Sequence, residues 1–183
     1  MAISISMKHP ERALVSAAKS DPDAFAALYE RTMPNVYRYI LSRVGNVQDA
    51  EDLTTQTYMA ALDGLHNYRG QGAFLTWVIG IARRKVADFF RGHRNVLPLE
   101  NAPDLRDTAL SPEAATEQSL QMDRVAATLT IIAPDRAEAI TLKIFGGLST
   151  AEVATLMNRS EDAVHALVSR GMRDLRQRLN EED

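Results

Sequence analysis

The sequence predicts an all-α protein made of two small helical domains joined by an acidic linker, the second of them a helix-turn-helix domain. Apolar residues recur at the three- and four-residue spacing of amphipathic helices through most of the chain. That periodicity stops between Asn95 and Ser119, where Pro98, Pro103 and Pro112 interrupt it. Near the end, a short capped helix, a three-residue connection and a longer helix follow one another, which is the spacing of a helix-turn-helix.

The composition is that of a globular protein, with 45% hydrophobic and 25% charged residues in a chain of 183. There is no apolar run of membrane-spanning length and no cysteine, which excludes disulfides and thiolate metal sites. The first ten residues lack the basic region and apolar block of a secretory signal, so we expect a cytoplasmic protein without membrane insertion. No metal-ligand spacing, phosphate-binding glycine loop or nucleophile–base set is apparent. We therefore expect no enzyme, cofactor, metal or small-molecule substrate.

The formal net charge is −3, and the charged residues are distributed unevenly along the chain. Residues 1–94 carry 12 Lys/Arg against 9 Asp/Glu, whereas residues 95–120 carry 1 against 5. Basic charge is thus concentrated before the linker and acidic charge within it.

The first domain is expected to span residues 1–94 and to begin with three helices. A short helix is predicted over Glu11–Lys19. Asp21 and Pro22 provide an N-cap and a first-turn proline for the second helix, in which Pro34 predicts a kink or a restart. The third helix, residues 48–63, has acidic residues in its first turn, where they suit the helix dipole. Its expected buried residues are Ala50, Leu53, Thr57, Tyr58, Ala61 and Leu62.

A polar, glycine-containing loop over residues 65–72 is expected to expose Tyr68 and Arg69. An uninterrupted amphipathic helix then runs from residue 74 to residue 94. Its apolar arc comprises Phe74, Trp77, Val78, Ile81, Ala82, Val86 and Phe89. The opposite arc holds Arg83, Arg84, Arg91 and Arg94, separated only by the small residues Thr76, Gly80 and Ala87. Such a face without acids favours a bulky polyanionic partner, the alternative being an ordinary solvated face.

Residues 95–119 are assigned to the linker and residues 120–183 to the second domain. The linker is either a solvated tether or an acidic strand that lies in a partner's basic channel. In the second domain, Pro134 begins a helix that runs to the Gly146–Gly147 pair. Ser149 and Glu152 then form a capping box at the start of the helix-turn-helix, and Ser160 caps the last helix.

The last helix separates into two faces. Its expected inward residues are Ala163, Val164, Leu167, Val168, Gly171 and Leu175, and its expected outward residues are Asp162, His165, Ser169, Arg170, Arg173, Arg176 and Gln177. The N-terminal half of a recognition helix normally reaches base edges. Here that half carries no Lys or Arg, and His165 is its one base-reading residue able to become positively charged.

Three segments together resemble the bacterial extracytoplasmic-function sigma factors of the sigma-70 family. They are residues 49–58 (DAEDLTTQTY), residues 74–88 (FLTWVIGIARRKVAD) with Arg91, and residues 147–154 (GLSTAEVA) leading to Ser160 and Val164. Two departures stand out. The family usually has Gln-Glu where this chain has Thr55-Gln56, and it commonly places basic residues in the first turns of the recognition helix.

The resemblance implies a sigma factor that binds core RNA polymerase and directs promoter-specific transcription initiation under the control of an anti-sigma protein. The residues implied to bind the clamp helices of the largest polymerase subunit are Asp49, Asp52, Leu53 and Gln56. Those implied to bind the minus-ten promoter element are Asn67, Tyr68, Arg69, Arg83, Arg84, Arg91 and Arg94. Those implied to bind the minus-thirty-five element are Ser160, His165, Ser169, Arg170 and Arg173.

Two other functions compete with this expectation. One is a sigma-like decoy that sequesters an anti-sigma factor. The negative net charge favours it, as does a recognition helix with few basic residues. The other is a free-standing helix-turn-helix regulator, for which the aromatic-rich first domain is larger than needed.

Overall fold

The computed structural model describes residues 9–70, 72–96 and 117–181. Within them the chain forms helices and no strand, which confirms the predicted fold class. The α-helices are α1 His9–Ala18, α2 Pro22–Val44, α3 Val47–Gly64, α4 Phe74–Val96, α5 Glu117–Ile131, α6 Pro134–Ile140, α7 Thr150–Met157 and α8 Glu161–Glu181. A 3-10 turn, Leu65–Asn67, follows α3, and a π-helical segment, Thr141–Phe145, continues α6. Most of the predicted acidic linker lies outside the described residues.

Helix ends are fixed by the side chains that the sequence suggested. The Asp21 carboxylate accepts a hydrogen bond from the Asp23 amide (2.9 Å) at the start of α2. At the start of α7, both bonds of the Ser149–Glu152 capping box are present. Ser160 Oγ accepts from the Ala163 amide (3.2 Å) and so caps α8. These bonds satisfy amides that have no partner inside the helix.

The second helix does not restart at its interior proline. α2 continues through Pro34, which is exposed. An interior proline costs a helix about 3 kcal/mol because it removes an amide and crowds the preceding turn. The turn that follows buries Val36, Tyr39 and Ile40 at no more than 1% exposure. Burial of such side chains contributes about 1.5–3 kcal/mol each, which is enough to keep the helix continuous.

The first group of helices packs as α1 on α2, with α2, α3 and α4 in mutual contact. Its core contains the predicted apolar arc of α4, with Phe74 and Val78 fully buried and Trp77 and Phe89 partly buried. One predicted core residue is wrong, because Leu62 is 50% exposed. At about 100° per residue Leu62 lies on the same side of α3 as Met59, which is also exposed, so both face away from α2 and α4.

The second group packs α5, α6 and α7 around α8 and adds a small core of its own, which includes Leu129, Ile140 and Leu175. The two groups also share a core. Five apolar residues of the second group belong to the same buried cluster as α2 and α4: Leu142, Leu148, Val153, Ala154 and Val164. The helix-turn-helix is therefore seated on the first group in this structure.

None of the helices in the described part of the chain combines the length and the apolar content that crossing a bilayer requires.

Candidate nucleic-acid interface

The loop between α3 and α4 is built around a buried tyrosine. Tyr68 was predicted to be exposed, but it is only 6% exposed. Its ring stacks on Trp77 with centroids 4.6 Å apart, and its hydroxyl donates to the Gly72 carbonyl (2.9 Å). Burial, and next the negative charge of Glu11, raise the pKa of Tyr68 to about 12, so the hydroxyl remains a donor at neutral pH. The ring thus has apolar cover and the hydroxyl has an acceptor, which explains the error.

Glu11 of α1 and Lys19, just after that helix, hold this loop and the start of α4 in place, a role that the sequence did not reveal. Lys19 Nζ donates to the carbonyls of Tyr68 (3.1 Å) and His66 (3.4 Å). Glu11 Oε1 accepts from the amide of Phe74 (3.0 Å), the first residue of α4. Ala73, which precedes α4, has no side-chain acceptor, and this missing cap was the one signal that an acceptor had to come from elsewhere.

A cavity of about 410 Å³ lies beside the loop. Its lining residues are Ala60, Gly64, Asn67, Tyr68, Trp77, Ile81, Arg84, Lys85 and Asp88. The volume falls within the range of about 300–1,000 Å³ that is typical of small-molecule sites. Trp77 is the partly exposed aromatic of this wall, whereas Tyr68 is nearly covered. A planar apolar surface therefore lies next to two cations, and exposed Arg69 follows Tyr68 in the chain.

The predicted arginine face of α4 is divided in the structure. Arg84 is exposed and lines the cavity. Arg91 is exposed and paired with Asp88 three residues earlier. Arg83, by contrast, points into the second group of helices, where it donates to Glu138 (2.6 Å) and to the Leu156 carbonyl (2.7 Å). The side chain of Arg94 lies outside the described residues. The face is thus available at Arg84 and Arg91 and occupied at Arg83.

The outer face of α3 combines acids with exposed apolar side chains. Asp52 and Gln56 are exposed and Asp49 is partly buried. Further along the same helix, Met59 and Leu62 are 63% and 50% exposed. Leu53 was predicted both to be buried and to bind a partner; it is 5% exposed and belongs to the core in this structure. The sequence predicted that Leu62 is buried, and it did not predict this exposed apolar pair.

The outward face of α8 is as predicted. His165, Ser169, Arg170 and Arg173 are all exposed, and Val164 beneath them is fully buried. Ser160 is exposed as well, but its hydroxyl oxygen caps the helix. The two acids of the first turn, Glu161 and Asp162, are also exposed. The N-terminal half of α8 therefore presents acids, a histidine and hydroxyls.

Two family models match parts of the chain. The model described as Sigma-70 region 2 matches residues 28–96, and the model described as Sigma-70, region 4 matches residues 123–175. The chain is 36% identical over 162 residues to the ECF RNA polymerase sigma factor BldN of Streptomyces coelicolor. That match covers 87% of this chain and 61% of the length of BldN.

Two solved structures share the fold. CnrH, solved with the cytosolic domain of CnrY, aligns with a TM-score of 0.72 at 23% identity, covering 94% of this chain and 99% of CnrH. RpoE of Bartonella quintana, solved with the anti-sigma factor NepR, aligns with a TM-score of 0.69 at 22% identity, covering 85% and 96% of the two chains. Together the two matched regions take up most of the described residues. The chain belongs to the sigma-70 family of RNA polymerase sigma factors, in its extracytoplasmic-function branch.

Proposed function

We propose that this protein is a promoter-specificity subunit of bacterial RNA polymerase, acting in the cytoplasm and without catalysis of its own. The observation that carries the proposal is the cavity in which Trp77 lies beside Arg84 and Lys85. An aromatic surface flanked by cations suits a single strand of DNA with an unstacked base, because bases stack on aromatics and phosphates pair with cations.

In this mechanism the loop and α4 separate the strands of the minus-ten element. Unstacking a base costs a few kcal/mol, and stacking on an aromatic side chain returns about 1–3 kcal/mol per base. Trp77 supplies that surface in place of Tyr68, whose buried ring fixes the loop instead. Arg69, Arg84 and Lys85 bind the adjoining phosphates, and Asn67 offers an amide to a base edge. Arg91 and Arg94 extend the phosphate contacts along α4.

We assign the binding of core polymerase to the outer face of α3. Asp49, Asp52 and Gln56 provide its polar contacts, and Met59 with Leu62 provides apolar area that interfaces usually bury. Leu53 acts through the core, since it holds α3 in place.

The minus-thirty-five element is assigned to the outward face of α8. His165 and Ser169 lie toward its N-terminal half, where a recognition helix reaches base edges, and Arg170 and Arg173 bind backbone phosphates. Ser160 contributes by fixing the start of the helix.

Control by an anti-sigma protein is part of the proposal. In the RpoE structure the sigma factor is bound to an anti-sigma factor. The exposed Met59 and Leu62 would offer such a partner, like polymerase, an apolar surface to cover.

The test is transcription in vitro with bacterial core polymerase and a promoter library, in which runoff RNA should depend on this protein. Arg84→Ala with Lys85→Ala should lower open-complex formation, followed by permanganate reactivity of unpaired thymines, while core binding stays unchanged. Asp52→Ala with Gln56→Ala should lower core binding instead. Core binding without any promoter-dependent RNA would refute the function and favour the decoy.

A further inference from the structure

A second cavity, of about 580 Å³, is lined by residues of α2, α4, α6 and α7. Its polar lining residues are Tyr39, Arg43, Arg83, Arg84 and Glu138. Its apolar lining residues include Val86, Phe90 and Leu156. The volume falls within the range of about 300–1,000 Å³ that is typical of small-molecule sites. The cavity therefore has the size and the mixed wall of a site for a small molecule.

The charge of the wall favours an anion. Three arginines line the cavity, and Glu138 is the one acid among its lining residues in the described part of the chain. Tyr39 is 1% exposed, and burial, followed by the negative charge of Glu138, raises the pKa of its phenol. The hydroxyl therefore stays protonated at neutral pH and adds no negative charge. Three guanidinium groups against one carboxylate leave a formal excess of two positive charges, which a dianion would match.

Arg43 is the cation whose charge the protein matches least. Its Nε is buried and donates no hydrogen bond to any residue that the structure describes. Glu138 lies 3.7 Å from Arg43 Nη1, beyond hydrogen-bond distance, whereas the same carboxylate accepts from Arg83 at 2.6 Å. Glu138 is thus engaged mainly by Arg83. A buried donor of a charged group without an acceptor destabilises a protein, so an anion in the cavity would supply what Arg43 lacks.

The apolar part of the wall favours a ligand with a flat body. Phe90 is half-buried, and its ring packs edge-on against Phe89 with centroids 5.4 Å apart. Leu156 of α7 is half-buried as well, and it lies close to α4, since a Cβ at Gly80 would be 3.7 Å from its side chain. A bare phosphate would leave these surfaces uncovered, whereas a planar ring would pack against the aromatic side chain.

We propose that this cavity binds a small phosphomonoester with a planar ring, of the class of a nucleoside monophosphate. Arg43 and Arg84 hold the phosphate, because guanidinium groups bind phosphate oxygens in a bidentate manner. Phe90 packs against the ring. A phosphomonoester carries a charge close to −2 at neutral pH and so matches the excess in the wall, whereas each phosphodiester of DNA carries one charge.

The experiment is isothermal titration calorimetry of the full chain with adenosine 5′-monophosphate as the probe. It compares Arg43→Gln with Arg38→Gln, which removes the same charge from an exposed position of α2 that does not line the cavity. Arg43 does not line the cavity beside the loop, so the variant leaves the proposed DNA site unchanged. Arg43→Gln should weaken binding of the probe about tenfold, equivalent to about 1.4 kcal/mol, and Arg38→Gln should bind as the parent does. Adenosine and inorganic phosphate should each bind more weakly than the probe, because each lacks one half of the contacts.

A variant that fills the space guards against misfolding of Arg43→Gln. Ala87 is exposed on α4 and lines the cavity, so Ala87→Leu should exclude the probe while circular dichroism stays native. Absence of binding by the parent, or equal affinity in the parent and in the folded cavity variants, would overturn the proposal. Equal binding of adenosine would overturn it too, since the arginines would then play no part. A short single-stranded DNA of random sequence measures the competing occupant by fluorescence anisotropy. If Arg43→Gln weakened DNA binding as much as binding of the probe, the cavity would belong to DNA and the proposal would be wrong.

Discussion

Replacing Glu11 by alanine should weaken the start of α4 from a distance of 63 residues along the chain. The amide of Phe74 is one of the first-turn donors that no helix carbonyl can satisfy, and Glu11 Oε1 accepts its hydrogen bond at 3.0 Å. Losing an N-terminal cap costs about 0.5–2 kcal/mol, and Phe74 is fully buried, so water cannot readily replace the carboxylate. We expect a loss of about 1 kcal/mol, or a melting temperature lower by about 2–4 °C for a chain of this size.

The matched variant is Glu11→Gln, which keeps an acceptor oxygen and removes the charge. It should lose only the attraction between a carboxylate and the helix dipole, about 0.3–1 kcal/mol. The assay is thermal and urea denaturation, together with the fluorescence of Trp77, the single tryptophan of the chain. Trp77 stacks on Tyr68, so a loosened loop should make it more accessible to acrylamide in the alanine variant. Equal stability and equal quenching in the parent and both variants would refute the capping role of Glu11.

Three further outcomes are expected. Arg84→Ala should reduce the slope of log affinity against log salt for single-stranded DNA by about 0.7, measured by anisotropy, and an unchanged slope would show that Arg84 contacts no phosphate. Gly171→Ala should destabilise the protein by about 1–3 kcal/mol in urea unfolding, because the added methyl would lie 2.6 Å from Ile140 Cδ1. Gly92→Ala is its control, since nothing lies within 4 Å there and helix propensity favours alanine by about 1 kcal/mol. Burial raises the pKa of Glu152, but hydrogen bonds from Ser149 and Thr76 outweigh it and hold that pKa below 4.5. The stability from Glu152 is therefore present above pH 4.5 and lost as pH falls through the lowered folded-state pKa, and acid titration of Glu152→Gln should lack that step.

The predictions that the structure confirms rest on residues close to one another in the sequence. The caps at Asp21, Ser149 and Ser160 are each formed by a side chain and an amide two or three residues away, so the sequence alone contains both partners. The predicted inward and outward residues of α8 were also correct, because a helix with a single apolar face packs with that face toward the core.

The errors arose where tertiary contacts decide. The assignment of Arg83 to DNA stays a prediction, and the helix wheel behind it could not show the ion pair with Glu138, which stands 55 residues later. Tyr68 looked exposed because its loop is polar, but Trp77 on the next helix covers it. Leu62 looked buried because it is apolar, and its side of α3 meets neither α2 nor α4. A periodic pattern shows which side of a helix is apolar and which is polar, but it does not show which other residues each side contacts.

The two oxygens of Glu152 bear on how the halves of the protein can part. Oε2 accepts from the amide and hydroxyl of Ser149, within α7's own start, whereas Oε1 accepts from Thr76 across the contact. The bonds at Oε2 therefore do not depend on the contact between α4 and α7, whereas the bond at Oε1 does. The first helix of the helix-turn-helix should thus keep its cap when the bond to Thr76 is lost, so a Thr76→Val variant should leave the start of α7 intact.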